Sequence, residues 1–441
     1  MFDTLIRGGQ VATEAGLLEV TLALRDGKVA AWLTPAEEAD AADIVEAGGQ
    51  IILPGLIDAH VHFRDPGLTH KEDFFTGTAA AAVGGVTTAL VMPTDVPATL
   101  TVADFRAKRG IAAGRLHIDI GLQAAAVGPG DIACLASAGA VSIEVFLGDM
   151  PPHLLLRDTA ALDAILTEAA AAGIIVGITP ADDTIIAAAE APLRHAGGDP
   201  LDFFRSRPPA SEASGTARAI AAIGNGAIHL RQISCRDSLA LVAQAAARGL
   251  PVSAETTPHY LLLDEEEIRL QGAFAKILPP LRGAADRAAL WQAVRPGGAI
   301  AMIATDHAPH TQAEKQTGDI WSAPGGFPGV QTLLALMLHA VAEGRIDWAD
   351  LVRLCCGAPA RRFGLAPRKG SLSPGADADL VLVDPHRHAE IRDSDQLSRA
   401  GRTPFAGRHT TGWPLETWLR GQVVARDGRL AGGPRGVVVT R

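Results

Sequence analysis

The chain has 441 residues, enough for a large α/β barrel beside a smaller domain and enough to bury a core without disulfide staples. Hydrophobic residues make up 48% and charged residues 20%, which excludes a disordered chain. Lysine and arginine number 39 against 49 acids, and the net charge of −10 argues against nucleic acid as a partner.

Residues 1–52 show strand alternation and turn dipeptides (TLIRGGQVAT, LLEVTLALRDGKVAAWL), with Asp26-Gly27 as a hairpin signal. The same texture returns after residue 370, in ADADLVLVDP and in ETWLRGQVVARDGRL, which carries Asp427-Gly428. We assign 1–52 and 370–441 to one small β-sandwich domain built from both termini, since chain ends often lie close together.

Between them, short β-branched runs alternate with alanine-rich helical stretches. The predicted strands are 55–63, 86–93, 117–122, 141–147, 174–179, 227–234, 251–255 and 299–306. Helices such as DTAALDAILTEAAAAG and RDSLALVAQAAARG separate them, each stopped by glycine. Eight strand–helix units predict a (β/α)8 TIM-like barrel over 53–369, with its active site at the C-terminal strand ends. A doubly wound sheet is the alternative, but no GxGxxG or GxxxxGK[ST] opens a helix. The apolar run TAAAAVGGVTTALVMP is broken by Gly and Thr and closed by Pro, so it reads as helix end, turn and buried strand, not a membrane span. FPGVQTLLALMLHAVAEG (327–344) reads as a buried helix of the outer ring. Cys134, Cys235, Cys355 and Cys356 form no CxxC, and no signal segment opens the chain; reduced thiols and a cytoplasmic location are expected.

The first barrel strand ends in His60-Val61-His62. Alternate strand residues share a face, so both imidazoles point one way and make a ready pair of metal ligands at a barrel mouth. Two polar loop residues is the bland reading of so short a motif. The last strand stops in Thr305-Asp306-His307-Ala308-Pro309-His310. A carboxylate there can ligate metal and move a proton, or it can simply cap a helix.

At these residues the chain resembles the dihydroorotase–allantoinase–hydantoinase group of the amidohydrolase superfamily, most of all the longer dihydroorotases. The matching segments are PGLIDAHVHFRDPG (54–67), GGVTTALVMP (84–93), ETTPHYLLL (255–263), KILPPLR (276–282), ATDHAPHT (304–311) and KGSLSPGADADLVLVDP (369–385). The resemblance implies a (β/α)8 barrel with a split β domain, and hydrolysis of a small cyclic amide by a metal-bound hydroxide. It implies that His60, His62 and Asp306 ligate metal, that Asp306 also moves the proton as the catalytic acid–base group, and that Arg64 and His310 hold the substrate's carboxylate. A homodimer is the family expectation, and no membrane partner is expected.

The family pattern breaks in four places. Glu144 stands where the group carries a carboxylated lysine that bridges two metals. Glu144 is carried as a metal ligand, although its carboxylate reaches roughly 3–4 Å less far from the backbone; the alternative is a buried acid paired with a neighbour. The strand-five histidine is replaced by Thr179 or Pro180, and the strand-six histidine by Gln232. His229, three residues before Gln232, reads as a structural histidine. Both lost histidines would serve the same second metal, so one Zn2+ or none is expected. After strand two, Pro93-Thr94-Asp95 replaces Pro-Asn-Thr, and an Asp95 carboxylate near Arg64 would compete with an anionic substrate.

Two functions compete. One is a dihydroorotase-like cyclic amide hydrolase of pyrimidine or related ureide metabolism with a reduced, single-metal site. The other is a non-catalytic homologue acting as a scaffold subunit for aspartate transcarbamoylase. A different one-metal amidohydrolase chemistry is weaker, because it usually needs a strand-five or strand-six histidine.

Overall fold

The computed structural model describes residues 1–195, 199–224, 226–317 and 319–441. Every predicted barrel strand is present, most of them trimmed at the ends and the seventh shifted by one residue to Val252–Thr256. Leu56–Val61, Val86–Val91 and Asp119–Leu122 pair in parallel. Ala124–Ala125 continues the third strand after Gln123 and pairs with Ser142–Phe146. Ile175–Thr179, Ile228–Leu230, Val252–Thr256 and Met302–Ile303 follow, all parallel. A parallel bridge between Val61 and His307 joins the eighth strand to the first and closes the ring. The first four of these strands are buried along their whole length, as the β-branched, non-alternating runs require when both faces are covered.

Local chemistry sets the helix ends. Asp73 and Thr101 each close a capping box on the helices Phe74–Val83 and Val102–Ala112. Gly139, at φ 107°, ends the helix Ile132–Ala138 in the left-handed conformation that glycine reaches without strain. The apolar run 327–344 yields a helix only over Leu333–Ala342, where Leu333 to Leu338 are all buried. The longest apolar run divides into the helix Phe74–Val83, the Gly84-Gly85 turn and the strand Val86–Val91. Among the described residues no helix is long and apolar enough to cross a membrane.

The two termini share a sheet. Ile51–Pro54 pairs with Leu380–Glu390 on one side and with Gln10–Thr13 on the other, within a seven-stranded sheet. A four-stranded sheet of Phe2–Arg7, Thr21–Arg25, Lys28–Leu33 and Ala41–Glu46 packs on it through Ile6, Leu22, Val29, Ile52 and Leu380. Both Asp-Gly pairs form tight turns with positive φ at each residue, between Arg25 and Lys28 and between Arg426 and Arg429. The chain end departs from this sheet. Val438–Val439 lies as a parallel strand against Asp119–Leu122, because the break at Gln123 leaves that strand an open edge.

Candidate active site

The site is assembled at the C-terminal ends of the first and last barrel strands. His60 and His62 turn their Nε2 atoms to one oxygen of Asp306, Oδ1, at 3.3 and 3.1 Å. The opposite ring nitrogens are tied back. His60 Nδ1 donates to Glu255 Oε1 at 2.6 Å, and His62 Nδ1 meets Thr94 Oγ1 at 2.8 Å. A ring that donates through Nδ1 leaves Nε2 with its lone pair outward, the arrangement of a metal-ligating histidine with a second partner behind it. Asp306 sits at φ 48°, which swings its carboxylate into the mouth. Burial opposes its charge, yet His60 and His62 outweigh burial and hold its pKa below the usual value. Burial likewise opposes charge on His60, but Asp306 and Glu255 raise its pKa, while burial presses His62 down to about 4. Two imidazole nitrogens and a carboxylate oxygen that converge in this way form a donor set that a divalent cation fits. One donor atom from each of the three lies within 4.8 Å of the others.

Glu144 does not join this group. Its Oε2 accepts from Arg231 Nε at 3.0 Å and its Oε1 from Arg231 Nη2 and Ser142 Oγ, both at 2.6 Å. The structure therefore places it as a buried acid satisfied by a neighbouring cation, the alternative weighed above; a guanidinium fills the space in front of it. Gln232 also leaves its strand, at φ 51°, and donates from Nε2 to Asp306 Oδ2 at 2.7 Å. The amide that replaces the family histidine thus holds the carboxylate directly. Thr179 and Pro180 line the cavity wall. His229 bonds to Ser253 Oγ at 2.8 Å and Glu255 Oε2 at 2.9 Å, away from Asp306.

Above the three converging groups lies a cavity of about 360 Å³. Met92, Val96, Phe146, Met150, Leu154 and Leu278 make much of its wall, and Arg64 and His310 stand at its polar side. Arg64 Nη2 is 3.3 Å from His310 Nε2. His310 Nδ1 accepts from Lys71 Nζ at 3.2 Å, and Nε2 donates to Gly325 O at 3.0 Å. Burial and the cations Arg64, Lys71 and Lys315 push its pKa far down, so it stands neutral. Asp95 makes no hydrogen bond or ion pair with Arg64, although its charge still favours the charged form of that arginine. It forms a buried ion pair with Lys108, thirteen residues on, whose Nζ also donates to Met92 O at 2.8 Å. Arg64 keeps its charge facing the cavity.

Sequence reasoning missed Glu255, Thr94, Arg231 and His259. Glu255 and Arg231 carried a signal: a charged residue within a buried barrel strand needs a partner. His259 is buried, its pKa is pushed to about 3, and its Nε2 has no partner among the described residues.

A closed eight-stranded barrel with a His-x-His pair and an aspartate at the strand C-termini has the architecture of a barrel hydrolase. The particular family follows from comparison. Residues 51–190 and 210–424 match the Amidohydrolase family. An allantoinase of Streptomyces avermitilis is 35% identical, covering 100% of this chain and 99% of its own. A dihydroorotase of Methanothermobacter thermautotrophicus is 34% identical over 98% of this chain and 96% of its own. Among solved structures, the L-hydantoinase (dihydropyrimidinase) from Arthrobacter aurescens superimposes with a TM-score of 0.96 at 32% identity, covering 100% of both chains. The chain belongs to the amidohydrolase family, and within it to the cyclic amide hydrolases of allantoinase, hydantoinase and dihydroorotase type.

Proposed function

We propose that this protein is a dihydroorotase-like hydrolase that opens a cyclic amide or ureide ring, in pyrimidine or related ureide metabolism, with a single divalent ion. The observation that carries the reading is the convergence of His60 Nε2 and His62 Nε2 on Asp306 Oδ1, with the other ring nitrogens engaged elsewhere. Two imidazoles and a carboxylate suit Zn2+. Bound there, the ion would lower the pKa of a water toward about 7 and polarise the ring carbonyl.

The chain's own residues do the rest. Asp306 takes the proton of the attacking water and returns it to the ring nitrogen as the C–N bond breaks. Gln232 donates to Oδ2 and keeps Oδ1 turned toward the two histidines. Arg64 and neutral His310 orient the polar edge of the ring. The apolar wall of Phe146, Met150 and Leu154 excludes water from the opposite side.

Zinc analysis of the purified protein, with assays on dihydroorotate, hydantoins and allantoin, tests this reading. About one equivalent of zinc with turnover is expected. No metal and no turnover, with a transcarbamoylase co-purifying, would establish the scaffold role instead.

A further inference from the structure

Deep to the mouth, the barrel holds two carboxylates from different strands, Glu144 and Glu255. Both are fully buried. Arg231, also 0% exposed, lies between them. Its Nε and Nη2 bind the two oxygens of Glu144 at 3.0 and 2.6 Å. Its Nη1 binds Glu255 Oε2 and Ala59 O, both at 3.0 Å, and Nη2 also bonds to Gln123 Oε1. All five guanidinium N–H groups are used. The other oxygen of Glu255 accepts from His60 Nδ1, so one carboxylate links the guanidinium to the candidate ligand.

We propose that Arg231 is a positioning residue: its guanidinium is the fixed interior cation that stands in for a second metal ion against Glu144 and, through Glu255, holds His60 with Nε2 toward the site. This rests on the single-ion reading above. The physical argument is charge and geometry. A buried carboxylate stays ionised only beside a cation, and an ionised Glu255 is the acceptor that keeps the proton of His60 on Nδ1. A metal ion could neutralise Glu144 but would leave Glu255 Oε2 without the N–H that Arg231 Nη1 gives it. A lysine would supply the charge at one point only and could not span both acids and Gln123. With the guanidinium seated on Glu144, that acid has no room for a second ion.

The test uses Arg231→Lys and the charge-balanced pair Glu144→Gln/Arg231→Met, which removes one interior charge of each sign so that the barrel interior keeps its net charge. Zinc affinity and stoichiometry of metal-free protein are measured by chelator competition, and the metal-free pair variant is crystallised. Wild type is expected to take one ion. Both variants, folded, are expected to bind it about 10–100-fold more weakly. In the crystal the Glu255 carboxylate turns off His60. A merely structural Arg231 would lower the melting temperature and leave zinc affinity unchanged, and that result overturns the proposal. Two ions in wild type overturn it as well. Should wild type bind no zinc, the functional reading fails by itself; the crystal then decides, with a His60–Glu255 contact kept at 2.6 Å against Arg231 as the positioning group and its loss in favour.

Discussion

Among the described residues, two clusters bring three ligand-type groups within 4.8 Å: His60, His62 and Asp306 at the barrel mouth, and Asp119, Asp377 and Asp379 where the barrel meets the β domain. By donor atoms alone both are metal candidates. In the second, Lys369 Nζ lies 2.6, 2.9 and 2.6 Å from the three carboxylates, and Arg420 also binds Asp119. The protein supplies its own cation there: burial opposes the Lys369 charge, but the three carboxylates outweigh it and hold the Lys369 pKa above its usual value. At the mouth, Asp306 pairs with no lysine or arginine among the described residues; its partners are the two histidines and the neutral amide of Gln232. Ligand geometry marks a metal site only where the chain has left the cation out.

The sharpest way to break this contrast is at the mouth. Asp306→Asn should cut kcat by about 10³-fold or more, since it removes both a candidate ligand and the proton carrier, and zinc content should fall with it. If zinc and turnover survive, the mouth is not the site. At the other cluster, Lys369→Met should cost about 3–5 kcal/mol in urea unfolding, because it strands buried carboxylates, while kcat per folded molecule stays unchanged. A loss of zinc from that variant would erase the distinction.

A pH series probes the histidine side more gently. Burial lowers the His229 pKa from 6.5 to about 4. Its folded form refuses a proton that the unfolded chain accepts, so the stability it contributes is complete above pH 6.5 and is lost as pH falls toward 4. The loss is about 3 kcal/mol. Unfolding free energies at pH 7.5 and 4.5 should therefore show wild type losing more than His229→Gln. The smallest effect belongs to Thr94→Val, which removes the partner of His62 Nδ1. Zinc affinity should fall about 10-fold with the melting temperature nearly unchanged.

Much of the architecture was written in the sequence. Alternating apolar runs and alanine-rich helices located all eight barrel strands, and the Asp-Gly pairs located both turns, because periodicity and turn chemistry are local. His60, His62 and Asp306 were equally legible, being adjacent to strand ends that a barrel gathers at one mouth. What the sequence could not decide was who partners whom. Glu144 could face a metal or a cation, and only the closed barrel brings Arg231, 87 residues away, against it. Asp95 could face Arg64, but the helix after strand two delivers Lys108. Glu255 gains its place behind His60 from 195 residues away. Residue type fixes which charges a chain contains. Pairing them depends on distances between remote segments, and those exist only once the ring of strands has closed.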